Sequence, residues 1–204
     1  MERRDNYRTQ AEQAKQTFLG YDQQQMIVKL HLEADADFLY PRMLGSTYRI
    51  CRRSGDFRRL KDGCWVDANT HGEVMTLLDL ICDSREDRFL ANRWQSMLSF
   101  GHRFHSQLME ETDPNAILFQ SDLEGFHRAC RALNGTPLPH CDAGYAIELF
   151  DGLCFGLQLW LGDEEFPPQL RYMLDENAYM YLKYETMHFA RGLLIRRIRE
   201  LMGR

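Results

Sequence analysis

Three carboxylates in a row, Asp163, Glu164 and Glu165, lie between an apolar run and a double proline in LWLGDEEFPPQL, residues 159–170. Adjacent like charges repel, so such a cluster is tolerated when it is solvated, paired with cations or bound to a metal. If extended geometry persists through it, Asp163 and Glu165 share one face and Glu164 takes the other. Asp142, Asp175 and Glu185 join them if the chain folds back. An all-oxygen set of this kind suits a hard divalent cation such as Mg²⁺ or Ca²⁺, with Asp163 and Glu165 as the metal ligands. The competing reading is an acidic turn whose carboxylates cap backbone groups, with Pro167 and Pro168 ending the ladder and Phe166 plugged into the core.

A basic counterpart lies between residues 49 and 61, where Arg49, Arg52, Arg53, Arg58, Arg59 and Lys61 flank a turn at Ser54 to Asp56. On a hairpin this makes a cationic strip, and its guanidinium forks fit the phosphates or carboxylates of a ligand. A solvated edge that discourages sheet-to-sheet pairing accounts for the same residues. The candidate ligand-binding set is therefore Trp160, Asp163, Glu165, Asp142, Asp175, Glu185, Arg52 and Arg58. Tyr172, Tyr179, Tyr181 and Tyr184, with Trp160, either wall a flat aromatic or tetrapyrrole ligand or pack in a core. His102 and His105 share a metal only if helical, and they lack Cys or acidic partners at zinc-like spacing. His140 and Cys141 are adjacent, so on extended chain they face opposite ways and make a poor nucleophile pair. Gly-rich phosphate loops, GxSxG elbows and HExxH helices do not occur. No catalytic residue is assigned and no cofactor is specified.

These groups must be positioned by 204 residues, 44% of them hydrophobic, which is enough for a real core. A net charge of −5 argues against general nucleic-acid binding, so any such role is local. The N-terminus has no apolar leader pattern and no segment approaches the ~18 apolar residues of a membrane span, so the expectation is a soluble, cytoplasmic protein. Six scattered cysteines without CxxC pairs read as reduced thiols.

Helical spacing of Tyr7, Ala11, Ala14 and Phe18 predicts a first helix stopped by Gly20, and Asp22 caps a short second one carrying Met26 and Leu30. From Phe38 the period becomes that of short strands, turned at Ser54-Gly55-Asp56. Thr70 with Glu73 opens a helix bearing Val74, Leu77, Leu78, Ile81 and Cys82; Ser121 with Glu124 opens another that Asn134-Gly135 closes. Residues 84–120 read as a long loop with short elements, with a turn at Asp113-Pro114. Three β-type runs, around 145–150, 153–161 and 170–174, form an antiparallel sheet, the first two joined by Asp151-Gly152. A last helix starts near Tyr184, with Met187, Leu194, Ile198 and Leu201 on one side. The expected fold is a single α+β domain over residues 1–204, a central antiparallel sheet packed with N-terminal, middle and C-terminal helices.

The stretch LWLGDEEFPPQLRYMLDENAYMYLKYE resembles the signature of the bacterial domain-of-unknown-function family 3786, on Trp160, Gly162, Asp163, Glu164, Glu165, Phe166, Pro167, Asp175, Tyr181, Leu182 and Glu185. Weaker similarity runs back through LGSTYRI, RWQSMLSFG and CDAGYAIELF. Members usually join the two long strands through a proline-containing connection, where this chain has FDGLCF. The resemblance implies a protein of anaerobes, and some relatives resemble fusions with a four-cysteine iron–sulfur module that this chain lacks. It points to a ligand- or metal-binding accessory module linked to corrinoid, tetrapyrrole or iron–sulfur metabolism, with a small ligand, a divalent cation or a protein carrying an iron–sulfur module as partner. A scaffold or interaction domain without a small-molecule site is the alternative, and an enzyme of unknown class the third reading.

Overall fold

The structure is a computed structural model and describes residues 2–101 and 113–204. Its contacts divide into two compact units, the first running up to Phe89 and including Tyr179–Ala190, the second comprising Leu90–Ala178 and Arg191–Arg204. Helices and antiparallel strands make the class α+β, as the sequence predicts, with the strands arranged in two sheets rather than one central sheet.

In the first unit, α1 (Glu2–Leu19) packs on α3 (His71–Leu78), burying Ala11 and Phe18 from the expected apolar stripe. Asp22 caps α2 (Gln23–Leu30), its carboxylate accepting the backbone N–H groups of Gln24 and Gln25. Strands β1 (Glu33–Ala34), β2 (Phe38–Tyr40), β4 (Ser46–Cys51), β5 (Phe57–Lys61) and β6 (Cys64–Asp67) follow in spatial order, and β3 (Arg42–Met43) pairs with β4. The pleat sends Leu39, Tyr48, Ile50 and Phe57 into the core and leaves the alternate residues on the other face. Gly55, at φ +72, makes the turn between β4 and β5 at the predicted position. Thr70 caps α3 as predicted, the Glu73 N–H meeting Thr70 Oγ1 at 3.4 Å, and the Thr70 hydroxyl donates to Glu73 Oε2 at 2.7 Å. After Leu78 the helix widens into a π turn, Asp79–Asp83, which the apolar spacing does not foretell.

The second unit holds the sheet β7 (Trp94–Ser96), β11 (Gln169–Asp175), β10 (Leu153–Trp160), β9 (Ala143–Phe150) and β8 (Thr136–Pro137), in that order. Asp151 and Gly152, at φ 48 and 81, form the tight hairpin between β9 and β10, a positive-φ pair that matches strand twist. Tyr145, Ile147, Phe155, Leu157 and Leu159 are buried, and α5 (Leu123–Ala132) lays Phe126 edge-on against Tyr145.

Four local expectations change. Asp113-Pro114 starts α4 (Pro114–Ser121) instead of a turn, because Asp113 Oδ1 accepts the Asn115 N–H at 2.8 Å and proline suits the first helical position. The cap of α5 is Asp122, not Ser121, since Asp122 Oδ1 reaches the Gly125 N–H at 2.9 Å while Ser121 ends the preceding helix. In α6 (Tyr184–Leu201), Met187, Leu194 and Ile198 are buried as expected, but so is Arg197, whereas Leu201 is exposed.

Phe166 is 65% exposed and is no core plug. The loop needs no aromatic anchor because it closes on its own backbone: the Asp163 N–H donates to the Phe166 carbonyl at 2.9 Å. Gly162 is crowded enough that an added Cβ would lie 2.5 Å from the Pro168 nitrogen. Phe155, by contrast, is fully buried. Urea unfolding should show Phe155→Ala losing about 3–5 kcal/mol, while Phe166→Ala changes stability by about 0.5 kcal/mol or less.

Candidate functional site

In the acidic loop Asp163 uses its carboxylate on backbone. Asp163 Oδ1 accepts the N–H groups of Glu165 at 2.9 Å and Phe166 at 2.8 Å, and these hydrogen bonds hold its carboxyl below the usual range. Asp142 Oδ2 takes the Leu161 N–H at 2.8 Å. Asp175, buried, takes the N–H groups of Ala91 at 2.9 Å and Asn177 at 2.8 Å through one oxygen, and that of Arg93 at 3.3 Å through the other. Glu165 is exposed. Among the described residues no group of three His, Cys, Asp or Glu side chains is placed to hold a metal ion. Trp160 carries the Arg171 guanidinium 4.6 Å from its ring centroid.

The remaining expected site residues are placed separately. Arg52 donates to Gln23 Oε1 at 3.0 Å and to the Asp35 carbonyl at 2.9 Å, Arg58 is exposed on β5, and Glu185 is exposed in the first turn of α6. Tyr172 is buried, its hydroxyl donating to Asp113 Oδ2 at 2.7 Å; burial and that carboxylate push its pKa far up. Tyr181 is buried and Tyr179 exposed, both in the first unit. Cys141 lies beside His140 without a bond between them, and burial raises its thiol. His102 and His105 fall outside the described residues.

A cleft of about 230 Å³ opens in the first unit, and no motif pointed to it. Its wall is apolar, from Ala14 and Phe18 on α1 and Met75 and Leu78 on α3. Its rim is polar and built on the π turn. Asp79 is 6% exposed, accepting the Lys183 N–H through Oδ2 at 2.7 Å and the Lys183 ammonium through Oδ1 at 3.0 Å. Asp83 pairs with the same ammonium and accepts the Tyr21 hydroxyl at 2.7 Å. Lys29 secures the end of the turn, its ammonium donating to the carbonyls of Ser84 at 2.9 Å and Cys82 at 3.3 Å.

The electrostatics follow from that geometry. Burial pushes the Asp83 carboxyl up, but the hydrogen bonds from Lys183 and Tyr21 outweigh it and the group lies below its usual range. Its contribution to stability is therefore present above the unfolded carboxylate pKa and lost as acid protonates the folded carboxyl. Tyr21 moves the other way: its bond to Asp83, with burial, raises the phenol to about 12. Burial also raises the Cys82 thiol to about 12, which disfavours its thiolate. The rim thus joins Tyr21, Asp83 and Lys183 through hydrogen bonds and ion pairs. A π turn inserted in a helix is a frequent device at functional sites.

The family profile described as a domain of unknown function, DUF3786, matches residues 22–197. The chain belongs to that family. The match includes the π turn, Lys183 and the acidic loop, but excludes α1 and its half of the cleft wall. No curated protein and no solved structure matches this DUF3786 chain.

In this DUF3786 protein the Tyr21–Asp83 bond has a direct spectroscopic reading. The tyrosinate absorbance of the parent minus that of Tyr21→Phe should rise near pH 12. Repeating the subtraction in an Asp83→Asn background should bring the step back toward ~10, the ordinary phenol value.

Proposed function

We propose that this protein is a small-ligand-binding module whose site is the cleft between α1 and α3. The observation that carries the reading is an apolar wall ending in a rim where Asp83 remains 36% exposed although it already holds Tyr21 and Lys183. Ligand sites commonly pair a hydrophobic body with a few placed polar groups. Asp79 is saturated by Lys183, so the accepting oxygen open to a ligand belongs to Asp83. The ligand class is a small molecule with an apolar body and a hydrogen-bond-donating head, an amine before a carboxylate. At about 230 Å³ the cleft falls below the roughly 300–1,000 Å³ of drug-sized sites and suits a fragment rather than a tetrapyrrole. A connection to corrinoid or iron–sulfur chemistry therefore rests on the family resemblance alone.

Benzylamine, benzyl alcohol and benzoate, titrated separately against ¹⁵N-labelled protein, test this reading. Benzylamine should shift the amides of residues 14–21 and 75–83, benzoate should not, and Ala14→Trp, which fills the wall, should weaken the response at least tenfold while far-UV circular dichroism stays unchanged. If no probe moves those amides, or if the shifts survive Ala14→Trp, the cleft is not the site. The interaction-domain reading then gains, with the exposed Leu161 and Phe166 as its candidate contacts.

A further inference from the structure

The outward face of the first unit's sheet carries a second chemistry. Strand pairing puts Arg42 opposite Thr47, Phe38 opposite Cys51, Arg49 opposite Arg58, and Leu60 opposite Trp65, and directly opposed residues share a face. This face is opposite to the one on which Leu39, Tyr48, Ile50 and Phe57 are buried. Phe38, Tyr40 and Trp65 on it are half-exposed, and Arg42, Arg58 and Leu60 are exposed. The Arg49 guanidinium lies 4.8 Å from the Phe38 ring centroid and 4.6 Å from that of Trp65, and Tyr40 is 6.3 Å from both rings. The result is a compact platform of tilted rings, 45–49° between planes, with a cation against two of them.

The charges on this face are unevenly committed. Arg53, at the strand end, pairs with Asp37 at 2.9 Å. Asp35 uses its oxygens on the N–H groups of Asp37 and Phe38 and on the Tyr40 hydroxyl, and Asp67 holds the Asn69 amide at 2.7 Å. Glu33 stands opposite Tyr40 at the β1 edge, and Asp67 stands directly opposite Arg58. Among the described residues, no ion pair involves Arg42, Arg49 or Arg58, and Arg49 Nε is buried without a hydrogen-bond partner. Stacking between rings already desolvates part of the Arg49 guanidinium, which favours an anionic partner over water at its remaining edge.

We propose that this face binds single-stranded nucleic acid, with bases stacked on the Tyr40, Arg49 and Trp65 platform and phosphates met by Arg42 and Arg58. Although β2 and β6 are three strand spacings apart, the rings lean together until Tyr40 and Trp65 are 6.3 Å between centroids, so the stacking surface is compact. Aromatic side chains on the outward face of RNA-binding sheets stack bases in this way. A duplex offers no unstacked bases to such a surface, and a purely acidic chain offers no rings. The whole-chain charge of −5 does not oppose a local site of this kind, though it keeps the affinity modest.

Fluorescence anisotropy of the 204-residue chain with fluorescein-labelled oligo(dT) and oligo(U) of about ten nucleotides tests the proposal. Binding should lie in the micromolar range at low salt, with a log–log salt slope of about −1.4 for two phosphate contacts on a single strand. Trp65→Ala should weaken it about fivefold or more through lost stacking. Arg58→Ala, an exposed change that leaves the core intact, should weaken it and flatten the slope by about 0.7. Arg199→Ala on α6 serves as the charge-matched control. Binding that is absent up to about 1 mM, that survives both Trp65→Ala and Arg58→Ala, or that poly-glutamate or duplex DNA reproduces equally well overturns the assignment.

Discussion

A backbone N–H removed from a helix or a ladder must find an acceptor, and in this chain aspartate supplies it repeatedly. Asp22, Asp113 and Asp122 receive the first N–H groups of three helices. Asp35 and Asp163 each close a loop by accepting two successive N–H groups. Asp175 collects three from two segments far apart in sequence, fixing the chain around Arg93 against the end of β11. Each of these carboxylates serves a donor that helix or ladder leaves without a backbone acceptor, and at the part-buried sites of Asp113, Asp122 and Asp175 removing the acceptor strands that donor.

That constraint explains which parts of the sequence were readable. Alternation, glycine turns and capping boxes are local, and they located the strands around 145–150, 153–161 and 170–174, the Asp151-Gly152 hairpin, and the caps at Asp22 and Thr70. The same local logic failed where two local signals competed. Ser121 and Asp122 are both good caps, and the carboxylate won because Ser121 turns its hydroxyl back to the Leu118 carbonyl at 2.7 Å. The acidic run Asp163 to Glu165 was ambiguous between chemistry and punctuation, since a carboxylate that accepts N–H groups and one that binds an ion have the same sequence. In the folded chain Asp163 Oδ1 accepts two N–H groups.

The cleft and the platform were unreadable for a different reason. Tyr21, Asp83 and Lys183 are separated by 62 and 100 residues, so no window of sequence contains their relationship. The π turn that aims Asp79 and Asp83 to the rim leaves no periodic trace, because the spacing of Val74, Leu77, Leu78, Ile81 and Cys82 fits an uninterrupted α-helix equally well. For the platform, half the signal was visible: the arginines between 49 and 61 were evident as a group, but their split was not. The pleat sends Arg49 and Arg58 outward and Arg59 to the opposite face, while Arg52 turns to Gln23.

Charge composition alone misleads about such a surface. A net of −5 counts every carboxylate equally, yet those bound to backbone N–H groups have part of their field cancelled by the dipoles they accept. Asp35 illustrates the effect beside the platform itself, where two N–H groups and a phenol converge on one carboxylate. The arginines opposite have no comparable compensation from acceptors, because a guanidinium between aromatic rings is met by ring quadrupoles that attract it without hydrogen-bonding its edge. The field at short range is therefore set by which charges the backbone has already satisfied, and on the outward face of this sheet those are mostly the negative ones.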